Sequence, residues 1–475
     1  MKKVIIIGAS GGGRKMYYFI KQFDKYEICL FLDNFPKQRT YLGLEVMQAD
    51  RFLKSDGSKE YYYCIGSTYW KEIYAQLIEA GIREDHIYSK LGILLENKKW
   101  FFDQLRSNVR KSGECDRGKN PTVIFDLLNG FGLGGVEKWS YDLSREYAKE
   151  KEVILLGNRS QGEPPKEFSG ISSFVDVEDS NDFSIESIKK MIDFLQDHLP
   201  GIVYCAHIND LFIACMLLKE MLKEQLTLVS VIHGGLQSIL DENIVLYDKM
   251  DYILCVSPDT QKYIKQVTND RKNKVLFKES PINIPNLGDR QYTLDKKEPL
   301  KIAYAARLEM THKHSELIIP LVTLLEKRKI NYQLDIAGDG SLYEELCKFV
   351  QSSSLRGRVC MLGRLNYEDM ERFWLNHDTA INLSDTEGCS VAMLEAMAAA
   401  TVPIFTDVPS TEYFITNGWN GYIVPFNDIE RMIRCLEELE CDREKLMSMG
   451  IRSAKIIDEK CKLKEYMDYL DKYIL

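Results

Sequence analysis

Short apolar runs alternate with longer segments of helical patterning along most of this chain. The apolar runs have the length of strands, as at 4–7, 123–127, 202–205 and 226–232, and consist mostly of Val, Ile, Leu and aromatic residues. Strands that alternate with helices predict parallel, doubly wound sheets, which bind ligands beyond the carboxyl ends of their strands. The pattern therefore predicts an α/β protein.

Three such α/β units follow one another. We place the first at residues 1–95 and the second at 121–297, with a charged helix and linker, 96–120, between them. The third covers 298–455, and a C-terminal helix follows at 456–475. A length of 475 residues agrees with about three domains.

The most informative segment is SDTEGCSVAMLEAMA, in which seven residues separate Glu387 from Glu395. An apolar run precedes it and strong helix formers follow Ser390, so the pattern predicts a strand, a turn and a helix with Ser390 as the N-cap. Glu387 then lies in the turn and Glu395 lies inside the helix. Because a helix N-terminus attracts phosphate, this arrangement suits a ligand with hydroxyl groups on both sides of a diphosphate, such as a nucleotide sugar.

The segment resembles the E-x7-E signature of the retaining group 1 glycosyltransferases (glycosyltransferase family 4), which have the GT-B fold. Further motifs in the family's order extend the resemblance over about residues 120 to 455: KIAYAARLEMTHKH from 301, LDIAGDG from 334, MLGRLNYEDM from 361, VPIFTDVPS from 402 and NGYIVPFND from 420. The resemblance implies two facing Rossmann-like domains with a donor cleft between them. It also implies transfer of a sugar from a nucleotide diphospho-sugar to an acceptor hydroxyl with retained anomeric configuration, and no metal or other cofactor is required.

The resemblance assigns roles to residues of the third unit. Glu387 is expected to bind hydroxyl groups of the donor sugar, with Gly388 beside it, and Glu395 is expected to bind the ribose. Arg307 and Lys313 are expected to hold the diphosphate, since a guanidinium contacts phosphate in a bidentate manner and an ammonium acts as a point charge. The interval between these two cations is one residue longer than we expect for the family.

The second unit carries the glycine-rich turn NGFGLGGVEKW after its first strand. Gly134 and Gly135 would let backbone N–H groups approach the donor's diphosphate, and a merely tight turn is the alternative. His233 stands where the family has an active-site histidine near the donor sugar, although a histidine after a strand is often structural. We interpret Glu137 as stabilising its helix start and leave His207 undecided.

The first unit has a glycine-rich segment of its own, GASGGGR, after the first strand. Gly8, Gly11 and Gly13 lie in this segment, and Asp33 closes the second strand, about where a ribose-binding acid belongs. Neither possible glycine register is complete. Residues 1–95 resemble the Rossmann-like domain at the N-terminus of bacterial sugar acyltransferases and other surface-polysaccharide enzymes. Nucleotide binding and a purely architectural role both stay open for this unit.

Composition narrows the class of protein further. The net charge of −9 and the pI near 5.5 argue against a general nucleic-acid binder. Nothing in the sequence approaches 18 consecutive apolar residues, so we expect no membrane-spanning helix, and MKKVIIIGASGGG is interpreted as a first strand. The twelve scattered cysteines, without a C-x-x-C pair, indicate reduced thiols of a cytosolic protein.

Basic residues interleave with aromatic ones between 98 and 111, where the basic side chains are Lys98, Lys99, Arg106, Arg110 and Lys111. A helix here could lie on anionic lipid at the inner membrane face, near a lipid-linked acceptor. An amphipathic helix packed between domains is the alternative. The linker-like composition of 113–120 predicts few contacts between the first unit and the rest of the chain.

These observations predict a cytoplasmic, hexosyltransferase-type enzyme of bacterial cell-surface polysaccharide or glycoconjugate biosynthesis, with a glycan or lipid-linked acceptor. Two alternatives from other classes stay open. The chain could be a noncatalytic partner that binds sugar nucleotides for another transferase, or an oxidoreductase that acts through its N-terminal domain.

Overall fold

Three parallel or mostly parallel sheets organise the protein. The computed structural model describes residues 1–67, 70–110, 120–128, 134–158, 173–176, 183–222, 225–352, 355 and 357–475. The start of the glycine-rich turn (129–133), Lys111 and residues 113–119 therefore lie outside the described residues. Helices alternate with the strands of each sheet, so the predicted α/β class is confirmed.

The first sheet contains six strands: β1 (Lys2–Ile7), β2 (Tyr26–Asp33), β3 (Thr40–Tyr41), β4 (Leu44–Gln48), β5 (Tyr62–Ile65) and β6 (Ile87–Tyr88). Their order is β3-β4-β2-β1-β5-β6, and only the β3–β4 pair is antiparallel among the pairs of this sheet. Its helices are α1 (Gly11–Ile20), α2 (Ala49–Leu53), α3 (Trp70–Glu79), α4 (Lys90–Glu96) and α5 (Lys98–Leu105).

The second sheet contains seven strands: β7 (Thr122–Leu127), β8 (Val153–Gly157), β9 (Ser173–Asp176), β10 (Gly201–Cys205), β11 (Leu226–Ile232), β12 (Tyr252–Cys255) and β13 (Val275–Phe277). Their order is β13-β12-β11-β10-β7-β8-β9. The helices between these strands are α6 (Gly135–Tyr147), α7 (Ile185–Asp197), α8 (Asp210–Leu222), α9 (Gln237–Val245) and α10 (Pro258–Thr268).

The third sheet contains six parallel strands: β14 (Leu300–Ala305), β15 (Tyr332–Ala337), β16 (Val359–Gly363), β17 (Thr379–Ile381), β18 (Val402–Thr406) and β19 (Tyr422–Val424). Their order is β16-β15-β14-β17-β18-β19, so the strand order reverses between β14 and β17. The helices are α11 (Ile318–Arg328), α12 (Tyr343–Ser352), α13 (Tyr367–Leu375), α14 (Val391–Ala398), α15 (Thr411–Phe414), α16 (Ile429–Cys441), α17 (Arg443–Lys460) and α18 (Leu463–Tyr473).

Close contacts divide the chain into two compact units. One contains the first sheet together with β7 to β10, α7 and α8, and the other contains α6, β12, β13 and the whole third sheet with its helices. The five segments that we drew from the sequence stay a prediction.

Helix α5 carries the aromatic and basic residues that the sequence places either on lipid or against protein. Phe101 and Leu105 are fully buried, and the ring of Phe101 stacks on that of Phe19 with 6.5 Å between centroids. Lys98 forms an ion pair with Glu220. The apolar face of α5 is thus largely covered by protein, with Trp100 and Phe102 half-buried, and Lys99 is the exposed basic side chain of this helix.

The expectation of few contacts between the first sheet and the rest of the chain is wrong. The amide of Gln22, on α1, donates to the carbonyl oxygen of Phe183 (3.4 Å) and accepts from the N–H of Ile185 (3.0 Å). The ring of Phe183 is buried, 4.1 Å from the ammonium of Lys90 and edge-on to Phe19. These contacts join the first sheet to the start of α7.

A chain that begins at Asn120 should therefore be less stable than the full chain. The truncation uncovers Phe183 and its surroundings, and each large apolar side chain brought into water costs about 1.5–3 kcal/mol. We expect the melting temperature to fall by at least ~5 °C. Differential scanning fluorimetry measures it, with Gln22→Ala as the control that removes the two hydrogen bonds and keeps the apolar cover. A monomeric truncated chain that melts with the full chain would contradict this prediction.

Candidate active site

The candidate site lies at the carboxyl ends of β14 and β17, where the strand order of the third sheet reverses. Arg307 follows β14 and Glu387 follows β17. Open α/β sheets bind ligands at such points because the loops after the two strands diverge there and leave a crevice. The fold therefore positions these two predicted residues at the edge where a ligand is expected.

Glu387 and Lys313 form an ion pair. The ammonium of Lys313 contacts Oε1 of Glu387, which also accepts from the hydroxyl of Ser384 at 2.8 Å. The two charged side chains are only 19% and 12% exposed, so solvent screens them weakly. The longer interval between Arg307 and Lys313 thus does not keep Lys313 away from the signature glutamate.

Arg307 is not part of that ion pair. Its side chain is 70% exposed, and its guanidinium contacts Oε1 of Glu309 at 3.3 Å. The turn beneath it is tightly packed, because a Cβ at Gly338 would lie 2.0 Å from the carbonyl oxygen of Ala306. Gly338 also has a φ of +146°, so only glycine is suited to this place in the LDIAGDG motif.

The loop that carries Lys313 is held in an unusual backbone conformation. His312 and His314 both have left-handed φ angles, +64° and +47°, which cost energy for residues other than glycine. His314 contacts Asp385 (Nε2 to Oδ2, 3.0 Å) and Glu316 (Nδ1 to Oε1, 3.0 Å). The N–H of Asp385 donates to the carbonyl oxygen of His312 at 3.1 Å. These contacts stabilise the loop against the segment that contains Glu387.

The same contacts change the proton affinity of His314. Burial by itself lowers the pKa of His314, but hydrogen bonds and charge from Asp385 and Glu316 outweigh it, and the pKa is raised above its usual 6.5. A histidine whose pKa is raised by folding stabilises the folded loop while it is protonated. That contribution is complete below the ordinary pKa and is lost as pH rises through the raised one.

The resemblance implies that a nucleotide-sugar donor binds at this site, and we expect its affinity to weaken on the alkaline side. We expect the KM for the donor to rise about twofold to fivefold as pH rises through the pKa of His314, the scale of a partly exposed ion pair. His314→Gln keeps a polar side chain without a titration and should flatten the profile. The control is His198→Gln, because His198 belongs to the compact unit that contains the first sheet and His314 does not. Steady-state kinetics across this pH range decide, and an identical pH profile for wild type and His314→Gln would refute the role given to the loop.

Two helix N-termini lie together at this site. Ser390 caps α14, as the sequence predicts, by accepting from the N–H of Met393 at 3.4 Å. The N-terminus of α6 packs against it, because a Cβ at Gly135 would lie only 3.0 Å from the side chain of Val391. The dipole and the backbone N–H groups of a helix N-terminus attract anions. Together they are suited to a group with two phosphates.

Glu137 caps the other helix, α6. Its carboxylate accepts from the backbone N–H of Gly134, the N-cap residue, in the manner of a capping box. Burial raises the pKa of Glu137, and the backbone N–H groups and the charges of Arg307 and Arg364 oppose that shift. Arg364 lies in the LGRL motif, but sequence reasoning assigned it no role, since its closeness to Glu137 depends on tertiary packing.

His233 is adjacent to the glutamate turn through the backbone. A Cβ at Gly388 would lie 2.1 Å from the carbonyl oxygen of His233. A Cβ at Gly235 would lie 2.9 Å from the backbone carbonyl oxygen of Glu387. The two loops thus touch main chain to main chain, which requires glycine on both sides. The structure brings together His233, Gly388 and Glu387, as the resemblance implies.

Glu395 is half-buried inside α14. Its Oε2 accepts from the indole N–H of Trp374 at 3.1 Å. Burial raises the pKa of Glu395, while the charge of Lys138 and the hydrogen bond from Trp374 oppose that shift. Lys138 also forms an ion pair with Asp142 at 2.5 Å. Sequence reasoning missed both Trp374 and Lys138, which approach Glu395 from other helices, α13 and α6.

The glycine-rich turn of the first sheet is closely packed. Gly8 has a φ of +107°, and a Cβ at Gly13 would lie 1.8 Å from the carbonyl oxygen of Gly8. A Cβ at Gly11, by contrast, would meet no atom within 4 Å. Both carboxylate oxygens of Asp33 accept backbone N–H groups, one of them from Ala9 at 3.0 Å. Asp33 therefore braces this turn, and only Gly11 leaves open space at the start of α1.

Two features of the described residues bear on metal ions and membranes. Within the ranges given above, no group of three or more His, Cys, Asp and Glu side chains is arranged to hold a metal ion. No helix in the same ranges is both long and apolar enough to cross a bilayer.

Comparisons with known proteins identify the family. The model described as glycosyl transferases group 1 matches residues 288–456, and the model described as glycosyltransferase family 4 matches 133–276. The chain belongs to the group 1 glycosyltransferases, and it is a transferase enzyme. A third model, for the PglD N-terminal domain, matches residues 3–75, so the first unit is an N-terminal domain of that kind.

Individual relatives agree with this assignment. An uncharacterized glycosyltransferase of Haemophilus influenzae is 23% identical over 370 residues, which cover 71% of this chain and 98% of the relative. An uncharacterized glycosyltransferase of Methanocaldococcus jannaschii is 24% identical over 313 residues, 62% of this chain and 80% of the relative. The crystal structure of Anabaena Alr3699/HepE in complex with UDP and glucose has a TM-score of 0.61 at 14% identity, covering 74% of this chain and 98% of that one. The GT-B fold predicted for the second and third units is thereby confirmed.

Proposed function

We propose that this enzyme transfers a sugar from a nucleotide diphospho-sugar to an acceptor hydroxyl with retained anomeric configuration and without a cofactor. The observation that carries the proposal is the meeting of three features. The Glu387–Lys313 pair, the adjoining N-termini of α6 and α14, and the His233 loop all occur within one compact unit. They supply a cation, two helix N-termini whose dipoles favour an anion, and a carboxylate that can bind hydroxyl groups, which suits a nucleotide sugar.

Each residue has a place in this reaction. Glu387 binds hydroxyl groups of the donor sugar, and Lys313 and Arg307 neutralise the diphosphate as the glycosidic bond breaks. Gly134, Gly135 and Gly388 let main chain approach the phosphates and the sugar.

The remaining two residues act at the ribose end and at the sugar end of the donor. Glu395 accepts hydrogen bonds from the ribose hydroxyl groups, and His233 lies beside the sugar. The leaving phosphate takes the proton of the acceptor hydroxyl on the face from which it departs. Catalysis is then chiefly orientation and stabilisation of developing charge.

The chemistry of the site and the ligands of similar structures guide the choice of donor and acceptor. The Anabaena structure contains UDP and glucose, so a UDP-hexose is the first donor to test. We propose a glycan or lipid-linked acceptor in bacterial cell-surface polysaccharide or glycoconjugate synthesis, at the cytoplasmic side of the inner membrane. Lys99 and Arg106 are exposed and available for a peripheral contact with anionic lipid there, whereas Lys98 and Arg110 form ion pairs with acidic side chains.

A second nucleotide site is proposed in the N-terminal domain, at Gly8, Gly11, Gly13 and Asp33. The open space at Gly11, beside the N-terminus of α1, supports it. Calorimetry of the full chain with UDP should then resolve two sites, and Asp33→Ala should weaken one without changing the affinity at Glu395. A single site that disappears in Glu395→Ala favours the architectural role instead.

A donor panel tests the proposed activity. Purified full-length protein is incubated with nucleotide sugars, beginning with UDP-glucose and UDP-N-acetylglucosamine, and released nucleoside diphosphate is measured. We expect release from one donor or a small group. Tight donor binding without release from any donor, with or without acceptors, would instead identify a noncatalytic partner. Turnover of reduced nicotinamide would identify an oxidoreductase.

A further inference from the structure

The C-terminal helix α18 contacts α6 through a buried hydrogen bond and a ring contact. Tyr466 is 0% exposed and Trp139 is buried as well. The indole N–H of Trp139 donates to the hydroxyl oxygen of Tyr466 at 2.9 Å, and the two rings are nearly perpendicular at 85°. A residue 327 positions away in the chain thus fixes the orientation of the Trp139 ring.

Trp139 also packs against the candidate active-site histidine. The rings of Trp139 and His233 meet edge to face, with 5.2 Å between centroids and 74° between planes. The main chain of His233 in turn touches Gly388, next to Glu387. Trp139 therefore lies between the C-terminal helix and the loop that borders the donor sugar.

This hydrogen bond constrains the Trp139 ring and does not change with pH in the physiological range. Burial raises the pKa of Tyr466 well above its usual value, and the hydrogen bond from Trp139 opposes that shift only in part, so the hydroxyl stays neutral at physiological pH. An indole N–H is a donor only, and leaving it buried without an acceptor is costly. The Tyr466 oxygen consequently selects one orientation of the Trp139 ring.

We propose that Tyr466 is a positioning residue for the transfer reaction, acting on His233 through Trp139. This inference rests on the proposed function, since it concerns the histidine assigned to the donor sugar. Trp139 lies on α6, the helix whose N-terminus contacts α14 through Gly135 and Val391. The C-terminal helix thereby sets the position of a side chain that borders the reacting sugar, without touching the donor itself.

Kinetics of Tyr466→Phe test the proposal, because this change removes only the hydroxyl oxygen. We expect kcat to fall about threefold to tenfold, the scale of one neutral hydrogen bond, while the donor KM stays unchanged. Tyr473→Phe, an exposed tyrosine of the same helix, is the matched control and should be unaffected. In a Trp139→Phe background, Tyr466→Phe should have no further effect on kcat, whereas independent effects would multiply.

A second measurement does not depend on turnover. The chain has seven histidines, so NMR of protein labelled at histidine Cε1 gives few signals, and His233→Gln assigns one of them. Tyr466→Phe should shift the His233 signal and leave the others in place, and Tyr473→Phe should shift none. An unchanged His233 signal overturns the proposal. A shifted signal in a protein that cleaves no donor shows that the contact exists and that the proposed function is what fails.

Discussion

Glu387→Gln should lower turnover at least ~100-fold, the scale of a lost electrostatic contact to the transition state. The substitution keeps the size and one oxygen of the side chain but removes the charge that is paired with Lys313. Lys313 would then lie in a poorly solvated place without its counter-charge, and the sugar hydroxyl groups would lose an ionised acceptor. The loss should appear in kcat at saturating donor.

The control for this substitution is Glu412→Gln, which changes the same functional group on an exposed part of α15. It should have the turnover of the wild type. Near-normal kcat in a correctly folded Glu387→Gln protein would remove Glu387 from the reaction and leave only a structural role for its ion pair.

Gly388→Ala should also lower turnover at least ~100-fold, through geometry instead of charge. The added Cβ would lie 2.1 Å from the carbonyl oxygen of His233 and 3.0 Å from Cα of Gly234. Both obstacles are main chain, so no flexible side chain can move aside and the two loops must separate. Overpacking of this kind costs about 1–3 kcal/mol, so the melting temperature should fall as well.

Gly57→Ala controls for the general effect of an added methyl group, because a Cβ at Gly57 would meet no atom within 4 Å. It should change neither turnover nor melting temperature. If Gly388→Ala kept full activity, the close contact between the His233 loop and the glutamate turn would not matter for the reaction.

The sequence was most informative where local pattern determines structure. The strand, turn and helix around Glu387 form as predicted, since Ser390 caps α14 and a short apolar strand precedes the turn. These elements depend on residues close together in the chain. The strand order reversal at β14 then places the loops after β14 and β17 at one edge of the sheet, as the resemblance to GT-B enzymes implies.

Side-chain pairing could not be predicted in the same way. The contact between Lys313 and Glu387 depends on left-handed backbone at His312 and His314, which no local signal encodes for histidine. Trp374 and Lys138 reach Glu395 from separate helices, whose packing is a tertiary property. The same reason explains the wrong expectation for the first unit.

For the first unit, the linker-like composition of 113–120 did not indicate the contacts between Gln22 and the start of α7. The strands β3, β4 and β6 of the first sheet and β9 and β13 of the second were also missed. Four of these five strands have only two to four residues, which is too short to show a period.

The central claim, a retaining sugar transfer at Glu387, is tested most directly by the stereochemistry of donor cleavage. Proton NMR follows the anomeric signal of the donor that the panel selects, in real time and with water as the acceptor. With an α-linked donor, we predict that the α sugar appears first and that Glu387→Gln abolishes its appearance. Initial release of the β sugar, or cleavage at the wild-type rate by Glu387→Gln, would contradict the account.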